Sequence, residues 1–185
     1  MRTSNQKSIN NSVIYFFSVR SIAFQFLLIS LGIIIPTISH ILAFPVRMLL
    51  PMHWTVLLAG LVYGWRGGLL VGLLSPIVSY LISGYPKPSI LPSMILELTT
   101  YGVITGLFSE FNKFNKFISL LISIIIGRIV FIISVLLTNS YQGEFLIYLR
   151  EALLPGIFAG LLQVILLPFI ANWWINKELN NFNKY

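Results

Sequence analysis

Four residues that could do chemistry, His53, Glu97, Arg128 and Gln163, each stand in a different apolar stretch of this chain. Tyr101 follows Glu97 by one helical turn, so a helix would place both side chains on one face. Ionisable side chains inside apolar segments are costly and usually face a protein interior or a water-filled site. If the stretches pack side by side, these five side chains predict one polar pocket for a small ligand.

Each candidate also has a purely structural interpretation. Glu97 and Arg128 could form an ion pair that only braces two helices. His53 could cap a helix or rest at a membrane interface, and Gln163 could make an ordinary hydrogen bond between helices. His40, in a loop rich in polar groups and prolines, is a further pocket candidate that could equally be a plain loop residue.

Catalytic and metal-binding interpretations find less support. The chain has no cysteine and two histidines, which excludes disulfides, Cys-ligated zinc and a cysteine nucleophile. His53 and Glu97 could act as base and acid of a membrane enzyme, but no residue pattern supplies a nucleophile or an oxyanion site. No G-x-x-x-x-G-K-[ST] loop occurs, so hydrolysis of ATP by that route is not expected. We therefore predict no catalytic residue, no metal site and no cofactor.

The composition predicts an all-α integral membrane protein that forms a single domain over residues 1–185. Hydrophobic residues make up 57% of the chain and charged residues 9%, with a mean hydropathy of +0.89. A soluble domain carries about 25% charged residues. The net charge of +7 is spread between apolar runs, which favours a lipid bilayer over nucleic acid as the partner. Residues 1–11 and 176–185 are expected to be flexible polar ends, and no cleaved signal peptide is expected.

Six apolar runs predict a bundle of six spanning helices, although the second and third runs are shorter than the roughly 20 residues that a span needs. The predicted spans are 13–35, 53–63, 69–82, 91–108, 117–138 and 152–174. Proline and polar residues separate them, and Pro36 is expected to end the first.

Lysine and arginine predict the orientation, because cytoplasmic loops are enriched in both. With both termini inside, eight basic residues face the cytoplasm: Arg2, Lys7, Arg20, Arg66, Lys113, Lys116, Lys177 and Lys184. Three face outward: Arg47, Lys87 and Arg150. Both termini are therefore predicted to be cytoplasmic, which places His53 at the outer end of its helix.

Five stretches, in this order, resemble a known family: LGIIIPTISH, LLPMHWTVLLAGLVYGWRGGLLVGLLSPIVSYLISGYPKPS, MILELTTYGVITGLF, GRIVF and LLPGIFAGLLQVILLP. Together they resemble the substrate-binding S component of an energy-coupling factor (ECF) transporter, from about residue 31 to residue 169. The branch that they resemble carries Met-His at the start of helix two, Glu in helix four and Gly-Arg in helix five, here Met52-His53, Glu97 and Gly127-Arg128.

The resemblance implies a function that the residues alone do not give. An S component has six helices and binds a vitamin or related micronutrient in a pocket that faces outward. It joins a transmembrane coupling protein and two cytosolic ATPases that use ATP, and it topples in the membrane to deliver the ligand. Many members carry Ala-x-x-x-Ala in helix one for docking of the coupling protein, whereas this chain has Phe26 and Ser30 at the matching positions.

The resemblance also suggests ligands, with pantothenate first because members of this branch have been associated with it. Arg128 would hold its carboxylate, and Glu97 and Gln163 would bind its donors. A queuosine precursor or another vitamin is the alternative. A membrane enzyme and a structural membrane adaptor are the competing classes of function.

Overall fold

The computed structural model describes residues 13–42, 46–111, 114–141 and 143–182, and all regular structure in these ranges is helical. A four-residue helix and five long helices follow one another: α1 (Val19–Ile41), α2 (Val46–Leu49), α3 (Pro51–Ser83), α4 (Leu91–Glu110), α5 (Lys116–Thr138) and α6 (Phe145–Phe182). Each of the five long helices contains a stretch that is long and apolar enough to cross a membrane. The predicted all-α membrane fold is therefore confirmed.

The shortest predicted interruption, between the second and third spans, is a sharp elbow at Gly64 inside α3. Gly64 has φ 70° and ψ −167°, a left-handed backbone that favours glycine. A Cβ on Gly60 would lie 2.7 Å from the carbonyl oxygen of Gly102, and a Cβ on Gly68 would overlap the same backbone. In a continuous helix residues 60 and 68 would be about 12 Å apart along the axis. The chain therefore reverses at Gly64.

The elbow bears on the six spanning helices that the sequence predicts. The predicted spans 53–63 and 69–82 lie in two antiparallel arms of α3, 51–63 and 65–83, so the described chain has five long helices, one of which is made of two arms. The apolar pattern located both arms. The apolar pattern did not show that a single non-helical glycine, rather than a loop, connects the arms. The segment GWRGG indicates a turn but not its length.

Backbone contact between α3 and α4 forms the centre of the bundle. Gly68 and Gly102 face each other so closely that a Cβ on either would overlap the backbone of the other. Gly72 packs in the same way against Leu98, and Gly106 packs against the elbow. Small residues four apart allow this approach. The first arm of α3 is almost entirely buried, which fixes the position of His53.

The ends of α1 and α6 differ from the predicted ones. α1 begins at Val19 and continues through Pro36 to Ile41. Thr37 Oγ1 donates to the Ile33 carbonyl at 2.7 Å and so adds a hydrogen bond beside the proline, where one backbone donor is missing. α6 runs from Phe145 to Phe182, through two prolines and through most of the segment expected to be a polar tail. Polar composition alone did not distinguish a solvated tail from a helix that continues beyond the apolar core.

An ion pair shows why α6 continues so far. Glu178, in its last part, is buried and lies 3.3 Å from Arg20 at the start of α1. Trp174, one turn earlier, packs edge-on against Phe24 of α1 and Tyr63 beside the elbow. The start of α1, the elbow of α3 and the end of α6 therefore meet at one end of the bundle, which we call the elbow end.

We predict that Gly68→Ala destabilises the protein by about 1–3 kcal/mol, because the added methyl group would force the backbones of α3 and α4 apart. Gly160→Ala is the matched control, because a Cβ on Gly160 meets nothing within 4 Å. The control should be neutral or slightly stabilising, since alanine is the better helix former. Unfolding in mixed detergent micelles measures both, and equal stability of the two variants would contradict this packing.

Candidate functional site

One carboxylate oxygen, Oε1 of Glu97, is the centre of a buried polar cluster. Tyr101 donates its hydroxyl proton to this oxygen at 2.8 Å. Arg128 Nη1 lies 3.0 Å from it and His53 Nε2 lies 3.7 Å from it. The four side chains come from α3, α4 and α5, and we refer to them together as the Glu97 cluster. Four of the five side chains that the sequence analysis placed in one pocket therefore lie together, and their role in binding a ligand stays a prediction.

Local sequence explains how each side chain reaches the cluster. Glu97 and Tyr101 are separated by one turn of α4, which stacks them on one face. A side chain at Gly127 would overlap the ring of Tyr101, so the glycine before Arg128 makes room for that ring. A Cβ on Gly156 of α6 would lie 2.7 Å from Arg128 Nη2, so a second glycine makes room for the guanidinium group. The Gly-Arg pair and the glycine in α6 are thus steric requirements of the cluster.

The cluster is balanced in charge but not in hydrogen bonds. Glu97 is 3% exposed and His53 4% exposed, and the side chain of Arg128 is 20% exposed. A buried carboxylate needs a cation and hydrogen-bond donors, which Arg128 and Tyr101 provide. Neither ring nitrogen of His53 makes a hydrogen bond within the described part of the chain. An imidazole buried without partners is costly, so a ligand or water that completes its hydrogen bonds would stabilise the site.

Three neighbouring cavities meet at Leu50 and His53, which line all of them. The largest, of about 660 Å³, lies at the end of the bundle opposite the elbow and is open to the outside of the protein. We call it the end cavity. A second, of about 200 Å³, reaches Glu97 and Arg128. The third, of about 250 Å³, runs between α5 and α6. His53 is therefore the member of the Glu97 cluster that lines the end cavity.

The other predicted site residues have different outcomes. Gln163 lines the 250 Å³ cavity with His53, Tyr101 and Arg128, and the polar contacts of Glu97 described above do not include it. Its Nε2 has no hydrogen-bond partner among the described residues, so this atom does not make the hydrogen bond between helices that was the structural alternative for Gln163. The backbone of His40 lies in the last turn of α1 rather than in a loop, which corrects the prediction, and its side chain lies outside the described ones.

Both predicted docking residues are on the surface of α1. Phe26 is 63% exposed and Ser30 is also exposed, with its hydroxyl bonded to the Phe26 carbonyl at 2.9 Å. Their exposure agrees with a docking role but does not establish it.

Sequence reasoning missed the wall of the end cavity. Aromatic and charged side chains from the connections after α3 and α5 and from the start of α6 line it, namely Tyr85, Lys87, Tyr141, Tyr148 and Glu151. These residues lie between apolar runs or at their edges, where the sequence pattern predicts only connections. The two tyrosines between the fifth and sixth runs, Tyr141 and Tyr148, were the available signal.

Comparison with known proteins gives one family. A family model described as "ECF transporter, substrate-specific component" matches residues 20–177, a range that includes the whole Glu97 cluster and Gln163. No curated protein and no solved structure shows a significant match to the chain.

We expect Arg128→Gln to destabilise the fold by about 3 kcal/mol, because it leaves the carboxylate of Glu97 buried without its cation. The double variant Glu97→Gln with Arg128→Gln should recover much of this loss, since it removes both charges together. Arg150→Gln, at an exposed position of α6, is the control for the loss of an arginine and should change stability little. Detergent unfolding curves in which the double variant is less stable than Arg128→Gln would contradict the ion pair between Glu97 and Arg128.

Proposed function

The chain belongs to the substrate-specific components of ECF transporters, and we propose that it captures a vitamin or related micronutrient at the Glu97 cluster. It is a multi-pass protein of the bacterial cell membrane. ECF substrate-specific components bind small molecules and work with a coupling protein and ATPases. In this proposal the two cytosolic ATPases use ATP, and this chain needs no cofactor and carries out no chemistry on its ligand.

The observation that carries the proposal is a set of unused hydrogen-bonding groups at the point where the three cavities meet. His53 is buried, neither of its ring nitrogens makes a hydrogen bond within the described chain, with Nε2 no closer than 3.7 Å to Glu97 Oε1, and it lines every one of these cavities. A residue that only capped a helix or braced the bundle would have its polar atoms satisfied inside the protein. A ligand that enters through the end cavity would supply those partners. This arrangement favours a binding subunit over a structural adaptor.

The chemistry of the cluster supports pantothenate as the first ligand to test. Arg128 uses Nη1 for Glu97 and its side chain is 20% exposed, which leaves donors of the guanidinium group for a ligand carboxylate. His53 can donate one hydrogen bond and accept another, which suits hydroxyl and amide groups. A queuosine precursor is the alternative, since its amine and pyrimidine edge would suit Glu97 and Gln163.

The orientation follows from the two ends of the bundle. Arg20, Arg66, Lys116 and Lys177 lie toward the elbow end, and the excess of basic residues there favours the cytoplasm. The Arg20–Glu178 pair brings the start of α1 and the end of α6 to this same end. With both termini inside, the end cavity faces outward, as capture of an external nutrient requires.

Titration of detergent-purified protein with pantothenate tests the ligand-binding role of the Glu97 cluster. Arg128→Ala should weaken binding by roughly 30- to 150-fold, the loss of one charge-assisted hydrogen bond of about 2–3 kcal/mol. Arg128→Lys should recover part of the affinity, because lysine keeps the charge but not the planar fork.

The double variant Glu97→Gln with Arg128→Gln separates binding from folding. We expect a monodisperse, folded protein that no longer binds the ligand, measured by titration calorimetry. A folded double variant with near-normal affinity would show that the pair is only a structural brace. Wild-type protein that binds a queuosine precursor instead of pantothenate would change the ligand but keep the site.

A second prediction concerns assembly with the coupling protein. We expect Ser30→Trp to weaken assembly, because an indole would prevent close approach on the exposed face of α1, while ligand affinity stays within about twofold. Ile129→Trp, on the exposed face of α5, is the matched control and should assemble normally. Co-purification with the coupling module measures this. Normal assembly of Ser30→Trp together with lost ligand binding would place docking elsewhere.

A further inference from the structure

The 250 Å³ cavity between α5 and α6, which we call the α5–α6 crevice, opens sideways from the bundle. Its outer walls are apolar, and four of the residues that line them are each more than half exposed, namely Leu121, Ile125, Ile157 and Leu161. In a helix that crosses a bilayer, exposed apolar side chains face lipid. The crevice therefore opens toward the hydrocarbon of the membrane.

One glycine of α6, Gly160, lies beside open space in the crevice instead of bringing two helices together. Gly156 and Gly160 have the four-residue spacing that predicts close packing. A Cβ on Gly160 nevertheless meets nothing within 4 Å, whereas one on Gly68 or Gly102 would overlap the facing backbone. Gly160 is thus a position at which α5 and α6 stay apart.

The inner wall of the crevice is polar and unsatisfied. Gln163 is 1% exposed, and its Nε2 makes no hydrogen bond within the described part of the chain. His53, with both ring nitrogens unpartnered, and Arg128 line the same space. An unpartnered amide in an apolar environment costs several kcal/mol. A lipid tail filling the crevice would leave that cost in place.

We propose that the α5–α6 crevice holds the apolar part of the transported ligand, whose oxygen-bearing end meets Gln163, Arg128 and His53. This inference rests on the proposed function and narrows its ligand class to amphipathic molecules. The crevice shares His53 and Arg128 with the 200 Å³ cavity at Glu97, so one molecule can contact both. A volume of about 250 Å³ holds roughly eight water-sized groups, enough for a short chain or a small ring.

A ligand that occupies the crevice must meet two conditions, one polar and one apolar, whereas a polar pocket alone would require only the first. The ligand needs at least one carbonyl, carboxylate or hydroxyl oxygen to accept from Gln163 Nε2, joined to an apolar segment that leaves the polar cluster. Pantothenate meets the first condition well and the second only through its two methyl groups. A vitamin with a larger apolar portion meets both.

Native mass spectrometry of protein purified from bacterial membranes tests the inference, with the small molecule retained through purification as the probe. Wild-type protein should retain an amphipathic molecule. Gly160→Leu should lower its occupancy at least tenfold, because the leucine fills open space in the crevice. Ile165→Phe, at an exposed position of α6 that lines none of the three cavities, is the control and should keep wild-type occupancy.

Gln163→Leu keeps the inference testable if Gly160→Leu folds poorly. It should also lower occupancy about tenfold, yet raise the unfolding temperature of the empty protein, because it removes an unpartnered buried amide. A retained molecule that is wholly polar, is a membrane phospholipid, or has unchanged occupancy in both variants overturns the inference and leaves the proposed function intact. Protein that retains no small molecule in any form overturns both.

Discussion

Burial of the Glu97 carboxylate is the constraint on which the rest of the structure depends. A charge cannot be removed from water in the middle of a bundle without a cation and hydrogen-bond donors around it. Arg128 and Tyr101 meet this need at 3.0 and 2.8 Å, and both contact the same oxygen. Because these partners come from α4 and α5, the carboxylate fixes the position of one helix against the other.

The glycines of the bundle allow helices to reach the positions that this cluster requires. The elbow at Gly64 returns α3 alongside α4. The close contact of Gly68 with Gly102 lets the arms of α3 pack against the backbone of α4. The first arm thereby carries His53 to the side of Glu97, 3.7 Å away. α6 is different, because Gly160 leaves a gap beside α5 rather than a contact. The helices α3 and α4 pack tightly, whereas α5 and α6 leave a crevice between them. Open space therefore lies next to the polar groups.

The sequence was sufficient for the features that depend on the length of apolar runs and on the free-energy cost of placing a charge next to lipid. Apolar runs located the helices, and the rule that charges avoid lipid selected Glu97 and Arg128 before any contact was known. Three features needed the structure, because they depend on tertiary contacts. Gly64 looks like any turn glycine until its φ is known, the end of α6 looks like a tail until Glu178 meets Arg20, and Gly160 looks like a packing residue until its neighbours are seen.

The most direct test of the account is an observation of His53 with and without the bound molecule. The chain has two histidines, so ¹⁵N-labelling of histidine gives two imidazole groups that substitution of His40 can assign. If the Glu97 cluster binds the ligand, the nitrogen resonances of His53 should shift when the molecule retained through purification is removed, because its ring nitrogens lose their partners. Resonances of His53 that are identical in the loaded and the emptied protein would contradict the central claim.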